Sequence, residues 1–370
     1  MKRGKKIITL LILMVFGGYL NYLKASEIPS KTCLWFLPTM SLEQARTRIQ
    51  FDYVVVDPEC GITSREAIDY LRANHPGIKI LCYINPPEWF DPMFPDKPWS
   101  LHIVAELKKY PNWWLKGTDG KKITFWPGMW TMDCRINCQK YLINGQRLNY
   151  LEFLWLNFRS DILDKYPYDG VLFDNAWDKA AWLGHYKKNK HGLDANNDRR
   201  EDNPTQFDLA WKKGLTYFLS QVRQYGGTNF IIIANPANKA YVPLCNGKEF
   251  ENFPDIYCKE GDKKFEAWYE NLNRANSWSG FCLFTARTNN YFFTLCSAVL
   301  LDHVSFAPPQ NSAYDQKYEL FLGEALSKAE TFRESGRSGY KRRFQNGTVY
   351  VDPELKKSWI NYNDGHCRAE

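Results

Sequence analysis

The sequence predicts an α/β protein of the (β/α)8 TIM-barrel type, one catalytic domain with a Trp-rich insertion after its third strand. Three observations carry the prediction. Apolar runs of strand length recur with amphipathic stretches between them, an alternation that argues for a parallel sheet. Eight such runs favour a closed barrel over an open doubly wound sheet, and no glycine-rich phosphate loop follows the first. Several runs end in an acid or amide side chain, and barrel active sites gather at the C-terminal ends of the strands.

In chain order, the first run is 34–37. The second, 53–56, ends in Asp57, and the third, 79–84, is followed by Asn85 and Glu88. The fourth, 170–173, is the most informative. Val171, Leu172 and Phe173 are continuously apolar, as in a strand buried on both faces. Gly170 lets a neighbouring backbone come close, and Asp174, Asn175, Trp177 and Asp178 follow in quick succession. The run 230–234 ends in Asn235, and weaker candidates surround Phe250-Glu251, 280–284 and 304–306. Between them, 42–49, 64–74 and 207–225 read as helices. The last repeats Leu209, Leu215, Phe218, Leu219 and Val222 at helical spacing and stops at Gly226-Gly227.

Two segments exceed a minimal barrel. Residues 86–150 hold Trp89, Trp99, Trp113, Trp114, Trp126 and Trp130, and insertions this long are functional or carry structure of their own. The second is the polar stretch 194–202. No internal repeat or low-complexity linker interrupts the chain.

Residues 1–25 read as a signal peptide. Lys2, Arg3, Lys5 and Lys6 precede an apolar stretch over 7–20, and Ala25 offers a small residue for cleavage. Fourteen residues fall short of the ~20 that span a bilayer, so the protein is expected to be secreted or periplasmic, with N-terminal membrane tethering as the alternative. The net charge of +7 includes five basic and no acidic residues from this segment, which leaves +2 for the remainder. That balance calls for no nucleic-acid partner. Domain bounds follow as a signal peptide 1–25, a barrel 31–353 and a C-terminal tail 354–370. Export permits disulfides among the ten cysteines. Cys82 and Cys282 lie in strand-like runs as buried thiols, whereas Cys134–Cys138 and Cys245–Cys258 are the candidate local bridges.

Asp57, Glu88, Asp174 and Glu251 are the acids expected at strand ends. Glycosidases need two carboxyl groups facing the scissile bond, one giving a proton and the other acting as nucleophile or activating water. A barrel brings Asp174 and Glu251 to one mouth despite their separation in sequence. Asp57, Glu88, Asn175, Asp178 and Asn235 are candidates for binding the substrate, and Tyr83 and Trp177 for shaping or flooring a subsite. No metal or other cofactor is expected, because the six histidines form no ligand motif. Asp194, Asn196, Asp198 and Asp202 resemble an oxygen-rich calcium loop, although Arg199 stands where glycine is needed.

The run 168–175 (YDGVLFDN) resembles the fourth-strand signature of glycoside hydrolase family 114 and, more closely, that of hypothetical glycosyl hydrolase family 15. Ile233-Ala-Asn235, the stretch 246–253 and the stretch 340–353 resemble further motifs of the latter, in order, across roughly 31–353. The resemblance implies a (β/α)8 barrel acting on a polysaccharide that contains α-linked or amino sugars. It places Asp174 as the fourth-strand nucleophile and Glu251 as acid/base. In that scheme Phe250 and Phe253 would raise the Glu251 pKa by desolvation, and Asn175 would help keep Asp174 ionised. The alternative is a barrel that binds glycans without cleaving them.

Overall fold

A computed structural model describes residues 29–242, 244–254, 264–334 and 336–369. The expected signal segment and Cys258 lie outside them. In chain order the strands as far as the barrel closure are β1 (Ser30–Trp35), β2 (Tyr53–Val56), β3 (Lys79–Ile84), β4 (Glu88–Phe90), β5 (Met129–Thr131), β6 (Tyr141–Ile143), β7 (Gln146–Leu148), β8 (Gly170–Phe173), β9 (Ile231–Ala234), β10 (Gly247–Phe250), β11 (Phe281–Thr285) and β12 (Val304–Ala307). Eight of them close a parallel barrel in the order β1-β12-β11-β10-β9-β8-β3-β2. The helices are α1 (Leu42–Arg46), α2 (Cys60–Thr63), α3 (Arg65–Asn74), α4 (Pro98–Leu107), α5 (Tyr150–Phe158), α6 (Pro204–Gly226), α7 (Lys264–Asn276) and α8 (Tyr291–Ala298). Among the described residues no helix is long and apolar enough to cross a membrane.

The period of two along each strand sorts its side chains. Leu34, Val55, Leu81, Leu172, Ile233, Leu283 and Ala307 form one cluster inside the barrel, while alternate residues such as Trp35, Val54, Val56, Val171 and Phe173 pack outward in another. Inside, the strands approach too closely for a side chain on Gly170. A Cβ there would sit 2.1 Å from the Ile231 carbonyl oxygen and 2.4 Å from Leu81 Cδ2.

Helix ends follow local chemistry. Ser41 and Gln44 form a capping box on α1, and Asn149 and Glu152 do the same on α5. α6 begins at Pro204 because the Asn203 side chain accepts from Gln206 N and proline suits the first turn, three residues before the amphipathic pattern starts. The insertion carries α4, the antiparallel pair β4–β5, whose strands flank α4 in the chain, and the hairpin β6–β7.

The C-terminal region departs from expectation. β13 (Glu330–Glu334), β14 (Arg337–Phe344), β15 (Gly347–Asp352), β16 (Lys357–Tyr362) and β17 (Cys367–Ala369) form a five-stranded antiparallel sheet in sequential order. The last barrel strand ends at Ala307, well before residue 353, and the stretch expected as a tail supplies β16 and β17. Phe344, Val349, Val351 and Ile360 join the core around Leu295 and Phe292 of α8. The buried Arg342 donates to the Val299 and Ser327 carbonyls, 2.9 Å each, and pairs with Asp302. That burial anchors the sheet to the barrel.

The cysteines also differ. Cys134, Cys138 and Cys245 are buried free thiols, as are Cys82 and Cys282. The spacing of Cys134 and Cys138 reflects neighbouring positions in one loop, where each thiol is held by packing.

Candidate active site

The inward set of each strand continues past the strand end onto the mouth. Two residues beyond Val55 is Asp57, beyond Tyr83 is Asn85, beyond Leu172 is Asp174, beyond Ile233 is Asn235, and beyond Glu249 is Glu251. All five therefore point the same way as the barrel interior.

Asp174 is the most heavily engaged of them. Its Oδ2 accepts from the Tyr83 hydroxyl at 2.6 Å, and its Oδ1 accepts from Asn175 N at 2.8 Å and Asn235 Nδ2 at 2.9 Å. These donors favour the ionised form, but burial outweighs them, and with the nearby charge of Glu251 it raises the carboxyl to about 6. Tyr83 is pushed well above its ordinary range by burial and by the Asp174 charge, so it stays a donor.

Asn235 Nδ2 also donates to Glu251 Oε2 at 3.2 Å. An amide nitrogen has two hydrogens to give. With the two bonds at 2.9 and 3.2 Å, the bridged oxygens of Asp174 and Glu251 lie at most 6.1 Å apart. The other Glu251 oxygen accepts from Asn252 Nδ2 at 3.2 Å. Phe250 and Phe253 turn into the core instead, with ring centroids 5.3 and 3.9 Å from Phe284. Phe250 occupies an outward position of β10, so the expected apolar shield lies across the strand from the carboxyl.

Each carboxylate is followed by an asparagine in the left-handed region, Asn175 at φ 53° and Asn252 at φ 52°. Asparagine tolerates this conformation better than other non-glycine residues. The turn aims the Asn175 side chain at Asn85 Oδ1, 3.2 Å, and Glu88 Oε2, 3.1 Å. Glu88 Oε1 accepts from Phe125 N at 3.1 Å and Thr131 Oγ1 at 3.4 Å. Burial, reinforced by the Asp174 charge, pushes Glu88 up to about 7.

Asp57 is buried and ion-paired with Lys97 from the insertion. Burial still raises its pKa against the pull of the ammonium group. Between Asp57 and Glu88 lies a cavity of about 400 Å3 walled by Phe36, Trp89, Phe94 and Trp99, of the size and character of small-molecule sites.

Two expected binding residues fall elsewhere. Trp177 is 6% exposed and packs under Phe125 and Trp182, while its carbonyl accepts from Trp211 Nε1 and Tyr241 OH, 2.9 Å each. It therefore builds the wall rather than a floor. Asp178 lies beyond it, near enough to Tyr241 for its charge to help raise that hydroxyl. The carboxylates of the 194–202 loop serve their own backbone. Asp194 accepts from Asp198 N and Arg199 N, 2.9 Å each, Asp202 from Ala195 N at 2.7 Å, and Asp198 from Arg200 N at 2.8 Å. The Asn196 side chain also turns inward on the loop, with Nδ2 donating to Asp198 Oδ2 at 3.2 Å and Oδ1 accepting from Asp198 N at 3.0 Å. Among the described residues no three His, Cys, Asp or Glu side chains gather as a metal site.

Asn85 stood out in the sequence only as a strand end, and Lys97, Asn252 and Glu249 did not stand out at all. Glu249 lies inside the barrel, 4% exposed. Burial and the charges of Glu251 and Asp174 hold its carboxyl well above the usual range. Its position two residues before Glu251, on the same inward face, was the available signal.

The profile of hypothetical glycosyl hydrolase family 15 matches residues 72–348. No curated protein matches the chain. Similar solved structures include the glycoside hydrolase domain of PelA from Pseudomonas aeruginosa, at 12% identity and a TM-score of 0.48, covering 76% of this chain and 96% of that one. A Flavobacterium johnsoniae GH31 dextranase follows at 11% identity and a TM-score of 0.43, covering 79% of this chain, which spans 37% of the dextranase. Eubacterium rectale Amy13B is similar at 8% identity and a TM-score of 0.42, covering 90% and 86%. The matched span contains Tyr83, Glu88, Asp174, Asn235 and Glu251 on a closed parallel barrel, and the chain belongs to hypothetical glycosyl hydrolase family 15, enzymes of the glycosidase type.

Proposed function

We propose that the protein is an exported glycosidase that cleaves a polysaccharide containing α-linked or amino sugars, with retention of anomeric configuration. Asp174 attacks the anomeric carbon, and the glycosidic oxygen leaves with the proton of Glu251. Glu251 then takes a proton from the water that displaces Asp174 from the glycosyl-enzyme. The observation that carries this reading is the Asn235 bridge. It keeps the two bridged oxygens within 6.1 Å of each other, a bound that admits the ~5–5.5 Å of retaining enzymes and falls below the ~6.5–9.5 Å that leaves room for an inverting water. Following the product by 1H NMR in the first minutes of digestion tests it. The initial anomer is expected to match the substrate linkage, and the opposite anomer would overturn retention.

A second reading makes Glu88 the proton donor. It is favoured by a carboxyl near 7 that lines the cavity and is tied to Asp174 through Asn175.

The acid limb of activity should report Asp174. Only the ionised carboxylate is a nucleophile, so kcat/KM is expected to fall as pH drops through about 6. The Tyr83 hydroxyl stabilises that anion, and Tyr83→Phe removes the donor. The limb should then move toward neutrality by about one pH unit. A limb that stays in place in the pH–rate profile would exclude Asp174 as the titrating group.

A further inference from the structure

Phe125, Trp126, Trp177, Trp182 and Tyr186 gather where the insertion meets the segment after β8. Packing explains Trp177, but two members are left in water, Trp126 at 49% and Trp182 at 39% exposure. Trp182 is nevertheless held firmly. Phe125, Trp177 and Tyr186 meet it edge to face at 5.6, 5.4 and 5.3 Å, and its Nε1 donates to the Lys179 carbonyl at 2.9 Å. Trp126 leans on Phe125 at 5.1 Å, with Lys187 Nζ 5.6 Å from its ring centroid. A large indole fixed by its neighbours and still exposed forgoes the stabilisation of burial. It offers instead a pre-oriented apolar surface with a cation beside it, suited to a sugar face and its hydroxyls.

Two links tie this ledge to the carboxylates. Phe125 N donates to Glu88 Oε1 at 3.1 Å, and Trp177, which braces Trp182, lies three residues after Asp174. We propose that Trp126 and Trp182 form an outlying saccharide subsite, so that the protein grips an internal stretch of a polysaccharide rather than a chain end alone. The proposal rests on the glycosidase reading and adds a polymer-binding subsite to it.

Affinity electrophoresis of the full chain carrying Asp174→Asn tests it, in gels containing dextran, chitosan or an α-linked galactosaminoglycan. At least one polymer is expected to retard this parent. Adding Trp126→Ala and Trp182→Ala should weaken the retardation about tenfold or more in Kd, since two stacking contacts are lost. Trp126→Phe with Trp182→Phe should recover most of the binding, which a general structural defect would not allow. Equal retardation of the alanine variant and its parent, or no rescue by phenylalanine, would overturn the ledge. So would a parent that no polymer retards. Reducing-end release by the wild-type chain judges the glycosidase reading separately, because it reads bond cleavage, whereas retardation of the Asp174→Asn parent reads binding alone.

Discussion

Asp174→Asn is expected to lower kcat for polysaccharide hydrolysis by ~10⁴-fold or more, a loss of the size seen when a member of a reacting set is removed. The amide keeps the shape of the carboxylate but has no charge with which to attack the anomeric carbon or to stabilise positive charge on the sugar ring. It also places an N–H where Tyr83 OH, Asn175 N and Asn235 Nδ2 now converge on acceptor oxygens. Reducing-end release, read beside the thermal melting of the same variant, separates lost chemistry from lost fold. Activity within tenfold of wild type would remove Asp174 from the mechanism.

Glu251→Ala should cost about 10²- to 10⁴-fold, the range for loss of a general acid–base. The size of the loss depends on the substrate. A nitrophenyl glycoside of the released sugar carries a leaving group that departs without a proton, so its first step should be nearly unaffected. The glycosyl-enzyme then accumulates because no base activates water. Azide needs no deprotonation and is expected to restore turnover, giving a glycosyl azide of retained configuration. If Glu251→Ala hydrolyses the polymer normally while Glu88→Gln does not, the proton donor is Glu88. Both carboxyls adjoin Asp174, but through different amides, Glu251 through Asn235 and Glu88 through Asn175.

Much of this arrangement was readable before any coordinates. The runs at 53–56, 79–84 and 170–173 coincide with β2, β3 and β8, because continuous apolar stretches between polar loops admit few other structures. The strand ends at Asp57, Asp174 and Asn235 followed from the same runs. The C-terminal sheet was missed. Its strands mix Arg, Lys and Glu with the apolar residues of one face, so 330–369 offers only the short apolar run Val349-Tyr350-Val351, and antiparallel pairing is decided between segments rather than within one.

Local chemistry in the chain thus set the barrel type, the strand ends and the identity of the acids that reach the mouth, since strand period and apolar runs act over a few residues. Folding in three dimensions settled the rest. It made Asn235 the bridge between Asp174 and Glu251, seated Lys97 on Asp57, turned Phe250 and Phe253 away from Glu251, buried Trp177 and left Trp126 and Trp182 exposed. Each of these depends on which distant segments meet at barrel closure and on how much water they exclude. Distances between remote side chains and the desolvation of a carboxyl exist only once the strands have paired.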